Sequence, residues 1–344
     1  MRRTLFMGVV AAVAINLLLG SLHLTMAQET FQLRLSSFVP PKHFMNAGIL
    51  QPWVDKIEKR SGGKLKIRIY SGSALGKPQD QYDIVLRGAA DIAWGVAAYN
   101  PGRFPLTTVM ELPFMYLNAE IGCRIIQRLY DRGYLKPEYK EVKLLALGMP
   151  PGLDVHSNKK LIKTIDDLTG MKVRVNSAMM GNLVKRWGKT PVAMPATEIY
   201  LSLDRGVIDV IFLDSLTLFG MRLNEVTKFH TVLGMSNTNF WFAMNKRTWE
   251  RLPGDLKEII NELSGEYFSA DIHGKAADKV LKGALAKLEK AGHTVYRLTP
   301  EELESWKKAS VPAYDAWLKD MAAKGLPGGK VLEAAKRLRA ELTK

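Results

Sequence analysis

The sequence predicts an α/β protein of two similar lobes followed by a mostly helical remainder, and three observations carry that prediction. The strand-like run LKIRIYS at 65–71 returns as MKVRVNS at 171–177. A helix-to-strand corner, RGAADI at 87–92, returns as RGVIDV at 205–210. Beyond Asn239 the patterning shifts toward helical spacing. In the second copy of the strand, Met171, Val173 and Val175 are apolar while Lys172, Arg174 and Asn176 are polar, the period-2 alternation of a half-buried strand. A unit present twice makes two related α/β lobes, each burying one sheet under helices.

The first residues stand outside that fold. Arg2 and Arg3 precede an apolar run from Leu5 to Gly20, and Thr25-Met26-Ala27 supplies small residues at a cleavage site, so residues 1–27 read as a secretory signal peptide. An uncleaved membrane anchor is the rival reading, disfavoured by the shortness of the run and by Asn16. No cysteine follows the run for lipid attachment. Cleavage after Ala27 would leave 317 residues, 344 less 27, enough for two domains with well-buried cores.

The first unit then runs as βαβαβ. FQLRLSSF (31–38) alternates like a strand; Ile49, Leu50, Trp53, Val54 and Ile57 recur at helical spacing until Gly62 and Gly63 end the helix. LKIRIYS follows, then a short helix closing at 86–88 and the apolar strand 90–96. The second unit is read as opening with LLALGM (144–149), followed by MKVRVNS, a helix capped by Ser177, the strand PVAMP, the helix TEIYLSLDRG and VIDVIFL. Gly88 and Gly206 suit the left-handed position just past a helix, where a side chain would clash.

NFWFAMNKRTW supplies one more strand, and an amphipathic pattern runs from Gly254 to about Ala291. As one helix, those 38 residues would reach roughly 57 Å and brace both lobes, with bends expected near Gly265, Gly274 or Gly283. TPEE at 299–302 is a capping box that starts another helix, and the stretch from Pro327 is helical and charged. The lobes divide as 28–150 plus 239–278 and 151–238 plus 279–320, with 321–344 as a C-terminal helical tail.

Composition narrows the function. Lys+Arg 49 against Asp+Glu 34 gives +15, or +13 without Arg2 and Arg3, a field that draws anions. The basic residues are interspersed with acidic ones, no nucleic-acid motif appears, and the export signal argues further against nucleic acid. Cys123 has no partner within the chain and reads as a small buried residue. There is no GxSxG, HExxH, CxxC or phosphate-cradling glycine loop, so the expectation is no enzyme, no metal and no cofactor. His43 and His156 are read as surface or capping residues in preference to cleft residues, and Asp166 and Asp167 as a helix start. Two open-sheet lobes place strand ends around a shared crevice, which is the geometry of a binding site.

The chain resembles the extracytoplasmic solute-binding subunits of tripartite ATP-independent periplasmic (TRAP) transporters. The resemblance rests on DDLTGMKVRV (166–175), PVAMPATEIYLSLDRGVID (191–209) and SGSALGKPQDQYDIVLRGAADIAWG (71–95), with ELPFMY (111–116) and NKRTWERLP (245–253). It implies a two-lobe periplasmic binding protein fold of type II-like organisation, with a long helix spanning both lobes and a helical C-terminus. It implies that Arg174 binds a ligand carboxylate, whose two oxygens match the planar guanidinium fork; losing such a contact in a closed cleft costs about 2 to 5 kcal/mol. Arg68, its counterpart in the first copy, is read as structural.

Leu153 and Leu213 stand where many relatives carry a second arginine and an asparagine, with Asp214 beside the latter. That departure favours a monocarboxylate with an apolar or aromatic body, because the hydroxyls of a sugar acid would go unpaired at about 1 to 3 kcal/mol each. Phe38, Trp94, Tyr99, Met194 and Trp241 are the other expected wall residues, Trp94 foremost. The reading is a periplasmic receptor that hands an organic acid to the integral membrane subunits of a TRAP transporter, closing by a hinge near 149–153 and 236–240. The alternatives are a sensor module feeding a signalling receptor, a secreted enzyme acting on carboxylated substrates, and a basic structural protein on anionic envelope polymers.

Overall fold

The computed structural model describes residues 30–343, so the signal-peptide segment and its cleavage site lie outside the described residues. Eleven strands occur in that span: β1 (Phe31–Ser36), β2 (Leu65–Tyr70), β3 (Ile92–Val96), β4 (Lys143–Gly148), β5 (Leu153–Ser157), β6 (Lys172–Val175), β7 (Thr190–Ala193), β8 (Val210–Leu213), β9 (Phe229–Met235), β10 (Phe240–Met244) and β11 (Thr294–Arg297). They form two sheets, ordered β2-β1-β3-β10-β4 and β11-β9-β5-β8-β6-β7. In each sheet the repeated unit supplies a parallel core, β2-β1-β3 in one and β7-β6-β8 in the other. The returning strands β10 and β5 are antiparallel to their neighbours.

Each sheet is covered on both faces. In the first lobe, Trp53, Val54 and Ile57 of helix Gln51–Arg60 pack with Leu33, Leu35 and Ile67 on one face, while Tyr82, Trp241 and Ile125 share a core on the other. In the second lobe, Val173, Val175, Phe212 and Trp306 share one core, and Ile199, Leu203, Ile211 and Leu213 share another. The two repeated corners behave alike: Gly88 has φ +79 and Gly206 φ +67, the left-handed geometry their sequence required.

LLALGM does not open the second lobe. It is β4, at the edge of the first sheet beside β10. The second sheet receives β5, whose polar Asp154, His156 and Ser157 obscure the strand in sequence although all five of its residues are buried. The strands β9 and β11 also escaped the sequence reading. Between β4 and β5 lies Pro150-Pro151, which cannot continue a ladder and carries the chain from one lobe to the other. Met235 to Phe240 makes the return crossing.

The long helix is shorter than its amphipathic pattern suggested. Helix Gly254–Glu262 ends before Gly265, which has φ +58, and a continuous helical run resumes from Tyr267 to Lys290, roughly 36 Å long. Phe268 and Ala270 pack into the first lobe and Leu288 into the second, so this run does join both lobes. Thr299 and Glu302 form the expected capping box. After it the chain comes back: Trp306 sits in the second-lobe core, whereas Trp317, Met321 and then Val331, Leu332 and Leu338 of helix Gly328–Leu342 pack in the first. Cys123 is buried there too, its thiol pushed up to about 12 by burial.

At the first crossing, Gly152 lies against the backbone of Gly234; a Cβ there would stand 2.7 Å from the Gly234 carbonyl carbon. Backbone cannot move aside as a flexible side chain can. Gly152→Ala is therefore expected to destabilise the protein by about 1 to 3 kcal/mol, read as a lower urea midpoint with an unchanged slope.

Candidate functional site

A cavity of about 50 Å³ lies where the two sheets face each other, and Arg174 is part of its wall. Strand β6 places Arg174 between β8 and β7, opposite Ile211 and Val192. The side chain is buried, with 1 % exposure. Its Nε and Nη2 donate to the Met194 carbonyl at 3.1 and 2.9 Å, and Nη1 donates to the Phe212 carbonyl at 3.1 Å. Burial pulls its pKa below the usual arginine value while Tyr99 and Asp214 push it back up; a guanidinium stays charged throughout. Three of its five N–H groups thus go to backbone, leaving two for the Tyr99 hydroxyl and for an occupant of the cavity.

Tyr99 comes from the first lobe. Its hydroxyl oxygen accepts from the Ala196 N–H at 2.9 Å, which leaves the phenolic proton free to be donated. Beside it, Phe38 and Trp94 lie 4.4 Å apart between ring centroids, and Phe240 meets Trp94 edge-on at 5.4 Å. The Trp94 indole donates to Ser37 Oγ at 2.9 Å, which locks the ring in place. From the second lobe come Leu213, Asp214 and Thr217. Asp214 accepts from the Thr217 backbone and hydroxyl, both at 2.9 Å, and burial, with nearby Asp154 contributing, pushes its carboxyl up to about 6. Asn176 just past β6 donates to Asn237 in the return crossing at 2.8 Å, tying the end of that strand to the crossing.

His43 is a cavity residue that sequence reasoning set aside. Its Nδ1 accepts from the Met45 N–H at 3.1 Å, so the capping role expected of it is real, and the imidazole proton resides on Nε2. That Nε2 is buried and has no hydrogen-bond partner. Burial lowers the His43 pKa to about 4, so at neutral pH the ring that lines the cavity is uncharged and its Nε2–H is unpaired. Gly220 makes room for the ring: a Cβ there would stand 2.5 Å from His43 Cδ2.

Of the residues expected at the site, Arg174, Trp94, Tyr99, Phe38, Leu213 and Asp214 line this cavity. Leu153, Met194 and Trp241 do not. Leu153 packs in the second-lobe core and borders a neighbouring crevice with Asn176 and Asn237. Met194 contributes its carbonyl to Arg174 while its side chain packs with Ile211 and Leu213. Trp241 occupies the opposite face of β10, seated over Gly95 and edge-on to Tyr82 at 5.2 Å. Its neighbour Phe240, on the other face of β10, lines the cavity instead.

A second cavity, about 210 Å³, lies between the Ala97–Pro105 segment, helix Ala178–Arg186 and helix Pro312–Ala323. It is larger but chemically unsuited to an acid. Its buried ionisable group is Glu111, held above the usual carboxyl range by burial and accepting from Thr238 Oγ1 at 2.8 Å, and no cation is buried among its lining residues to receive a carboxylate. Its cations, Arg186 and Lys324, are exposed at the rim.

Residues 35–320 match the family described as bacterial extracellular solute-binding protein, family 7. A TRAP solute-binding protein from a marine metagenome, specific for aromatic acid ligands and solved with metahydroxyphenylacetate, is 32% identical and superposes with a TM-score of 0.88, covering 91% of this chain and 99% of its own. A TRAP solute-binding protein from Rhodoferax ferrireducens, solved with copurified benzoate, is 30% identical with a TM-score of 0.88 and coverages of 91% and 98%. A TRAP periplasmic solute-binding protein from Bordetella bronchiseptica, solved with both enantiomers of mandelate, is 28% identical with a TM-score of 0.83 and coverages of 91% and 99%.

Asp214 sets a pH dependence whose sign follows from its raised pKa. An anionic ligand beside an ionised Asp214 is repelled, and protonation near pH 6 removes that repulsion. A carboxylate ligand that is still ionised at pH 5.5 is expected to bind several-fold more tightly at pH 5.5 than at 7.5, with a ceiling of about tenfold per pH unit. Calorimetric titration at the two pH values checks this, and Asp214→Asn should flatten the difference.

Proposed function

This chain belongs to family 7 of the bacterial extracellular solute-binding proteins, the solute-binding subunits of TRAP transporters, and from that premise we propose that it is a periplasmic receptor for an aromatic or otherwise apolar monocarboxylate. The observation that carries the reading is the buried Arg174 guanidinium facing a cavity whose remaining wall is largely aromatic and aliphatic. The carboxylate takes the Arg174 N–H group that Tyr99 leaves free, together with the Tyr99 hydroxyl proton. The ring lies among Phe38, Trp94 and Phe240, where offset or edge contacts with aromatic faces favour a planar body. A hydroxyl or oxo oxygen on the ligand accepts from His43 Nε2–H, which would otherwise stay buried and unpaired. Similarity supports the same class: the aromatic-acid, benzoate and mandelate complexes are formed by proteins 28–32% identical to this one.

The receptor works by closure. A cavity of about 50 Å³ is well below the roughly 150 Å³ that holds a benzene ring, so holding the ring requires the cavity to widen by a parting of the lobes about the crossings at Pro150–Gly152 and Ser236–Asn239. The signal peptide directs export with cleavage near Ala27, and the loaded receptor delivers its acid to the integral membrane subunits of the transporter. The chain performs no reaction on its ligand.

In a thermal-shift screen, benzoate and 3-hydroxybenzoate are expected to raise the melting temperature, and glucuronate is not; a ligand at 100 times its Kd adds about 2.7 kcal/mol. A response to glucuronate alone would overturn the pocket reading. Arg174→Ala should abolish the shift, losing about 2 to 5 kcal/mol of binding.

His43 gives a separate test of ligand class. His43→Phe is expected to erase a preference for 3-hydroxybenzoate over benzoate, worth about 1 kcal/mol, in paired titrations of the two acids.

A further inference from the structure

Three histidines form a row across the second sheet, starting at the surface and ending beside the candidate site. His156 on β5 is the register partner of His230 on β9 and of Ile211 on β8, and Ile211 is in turn the partner of Arg174 on β6. His156 Nε2 lies 3.0 Å from the Leu213 carbonyl oxygen, and His156 Nδ1 lies 2.9 Å from His230 Nδ1. On the other side, His230 Nε2 lies 2.9 Å from His293 Nδ1. His156 and His230 are fully buried; His293 is half-buried.

The carbonyl at the inner end dictates where every proton sits. A carbonyl oxygen only accepts, so His156 Nε2 must carry the proton. A neutral His156 then has a lone pair on Nδ1, which accepts from His230 Nδ1–H. His230 Nε2 is left as an acceptor, and His293 Nδ1–H donates to it. Burial keeps the inner rings neutral, with His156 lowered to about 4 and His230 to about 2, and Lys228 depresses His230 and His293 further. Asp154 neighbours His156 on the same strand, but its oxygens are taken by the Leu233 and Gly234 N–H groups and by Ser215. Only one arrangement of protons satisfies all three contacts with neutral rings: each bond donates inward.

We propose that these three imidazoles act as one positioning element for the binding site, polarised from His293 to His156, holding the Leu213 carbonyl one peptide away from the Phe212 carbonyl that anchors Arg174. Leu213 and Asp214 both line the cavity, so the row fixes the strand end that presents the ligand wall. The site assignment rests on the receptor reading above; the order of the protons does not. Chained hydrogen bonds polarise one another, so a change at the outer ring is felt at the inner one.

The test uses the full chain labelled with 15N, first without ligand. Long-range proton–nitrogen correlations at pH 7 should find His293 and His230 protonated on Nδ1 and His156 on Nε2. His293→Phe, a change at the half-buried end, removes the donor to His230 Nε2; the His230 tautomer, fixed by His156, should stay, while the His230 ring nitrogen resonances shift, the Arg174 Nε–H resonance moves and benzoate binding weakens about three- to tenfold. His293→Asn, which keeps an N–H donor near the Nδ1 position, should restore all three. Finding His230 protonated on Nε2 in the wild type would overturn the proposal, as would His293→Phe leaving the Arg174 resonance unmoved. If no carboxylate binds the wild type, the receptor reading falls while the tautomer and Arg174 resonance arms still decide the row.

Discussion

The structure is organised around a buried guanidinium. Taking a charge out of water costs several kcal/mol unless close, well-aligned partners replace the lost hydration. Here the offset comes from the Met194 and Phe212 carbonyls, located just beyond β7 and near the end of β8, the strands that flank Arg174. Both carbonyls converge only if β7, β6 and β8 hold their parallel register, so the charge and the sheet specify one another. These hydrogen-bond partners are uncharged dipoles, and the charged group that acts on Arg174 is the Asp214 carboxyl.

Around that cation the two lobes contribute unlike chemistry. The first lobe supplies rings, in Phe38, Trp94, Tyr99 and Phe240, together with the His43 donor. The second supplies the charge, the Asp214 carboxyl and the aliphatic Leu213. The proposed ligand, with an anionic head and a flat apolar body, is the one that would meet both halves at once. The crossings between the lobes are themselves hydrogen-bonded to the site through Asn176 and Asn237, and Asn237 also donates to the Pro151 carbonyl at 3.2 Å.

Most of the architecture was legible because periodicity and turn chemistry are local. The repeated strands, the two glycine corners and the Thr299 capping box need only near neighbours to form, and each appears where the residues indicated. What stayed hidden depended on distant partners. Strand β5 reads as polar because Asp154 and His156 are satisfied by β9 residues and by Ser215 and Leu213, all remote in sequence. Trp241 and Phe240 are adjacent, and only the packing of Trp241 on Gly95 shows which one faces the ligand side. His43 looked like a cap and is one, yet its ring also lines the cavity.

The pair of arginines in the repeated strand separates the two kinds of information. By itself the sequence determined that Arg68 and Arg174 each sit at the same position of an amphipathic parallel strand, because alternation and the flanking glycines act over a few residues. The tertiary structure alone decided their fates. Strand β2 is at a sheet edge, so Arg68 stays in solvent with its guanidinium 5.1 Å from the Tyr70 ring centroid. Strand β6 is flanked on both sides and roofed, so Arg174 is enclosed and turned toward the other lobe's aromatic wall. Burial is a property of neighbours brought from far along the chain, and only the folded chain assembles them.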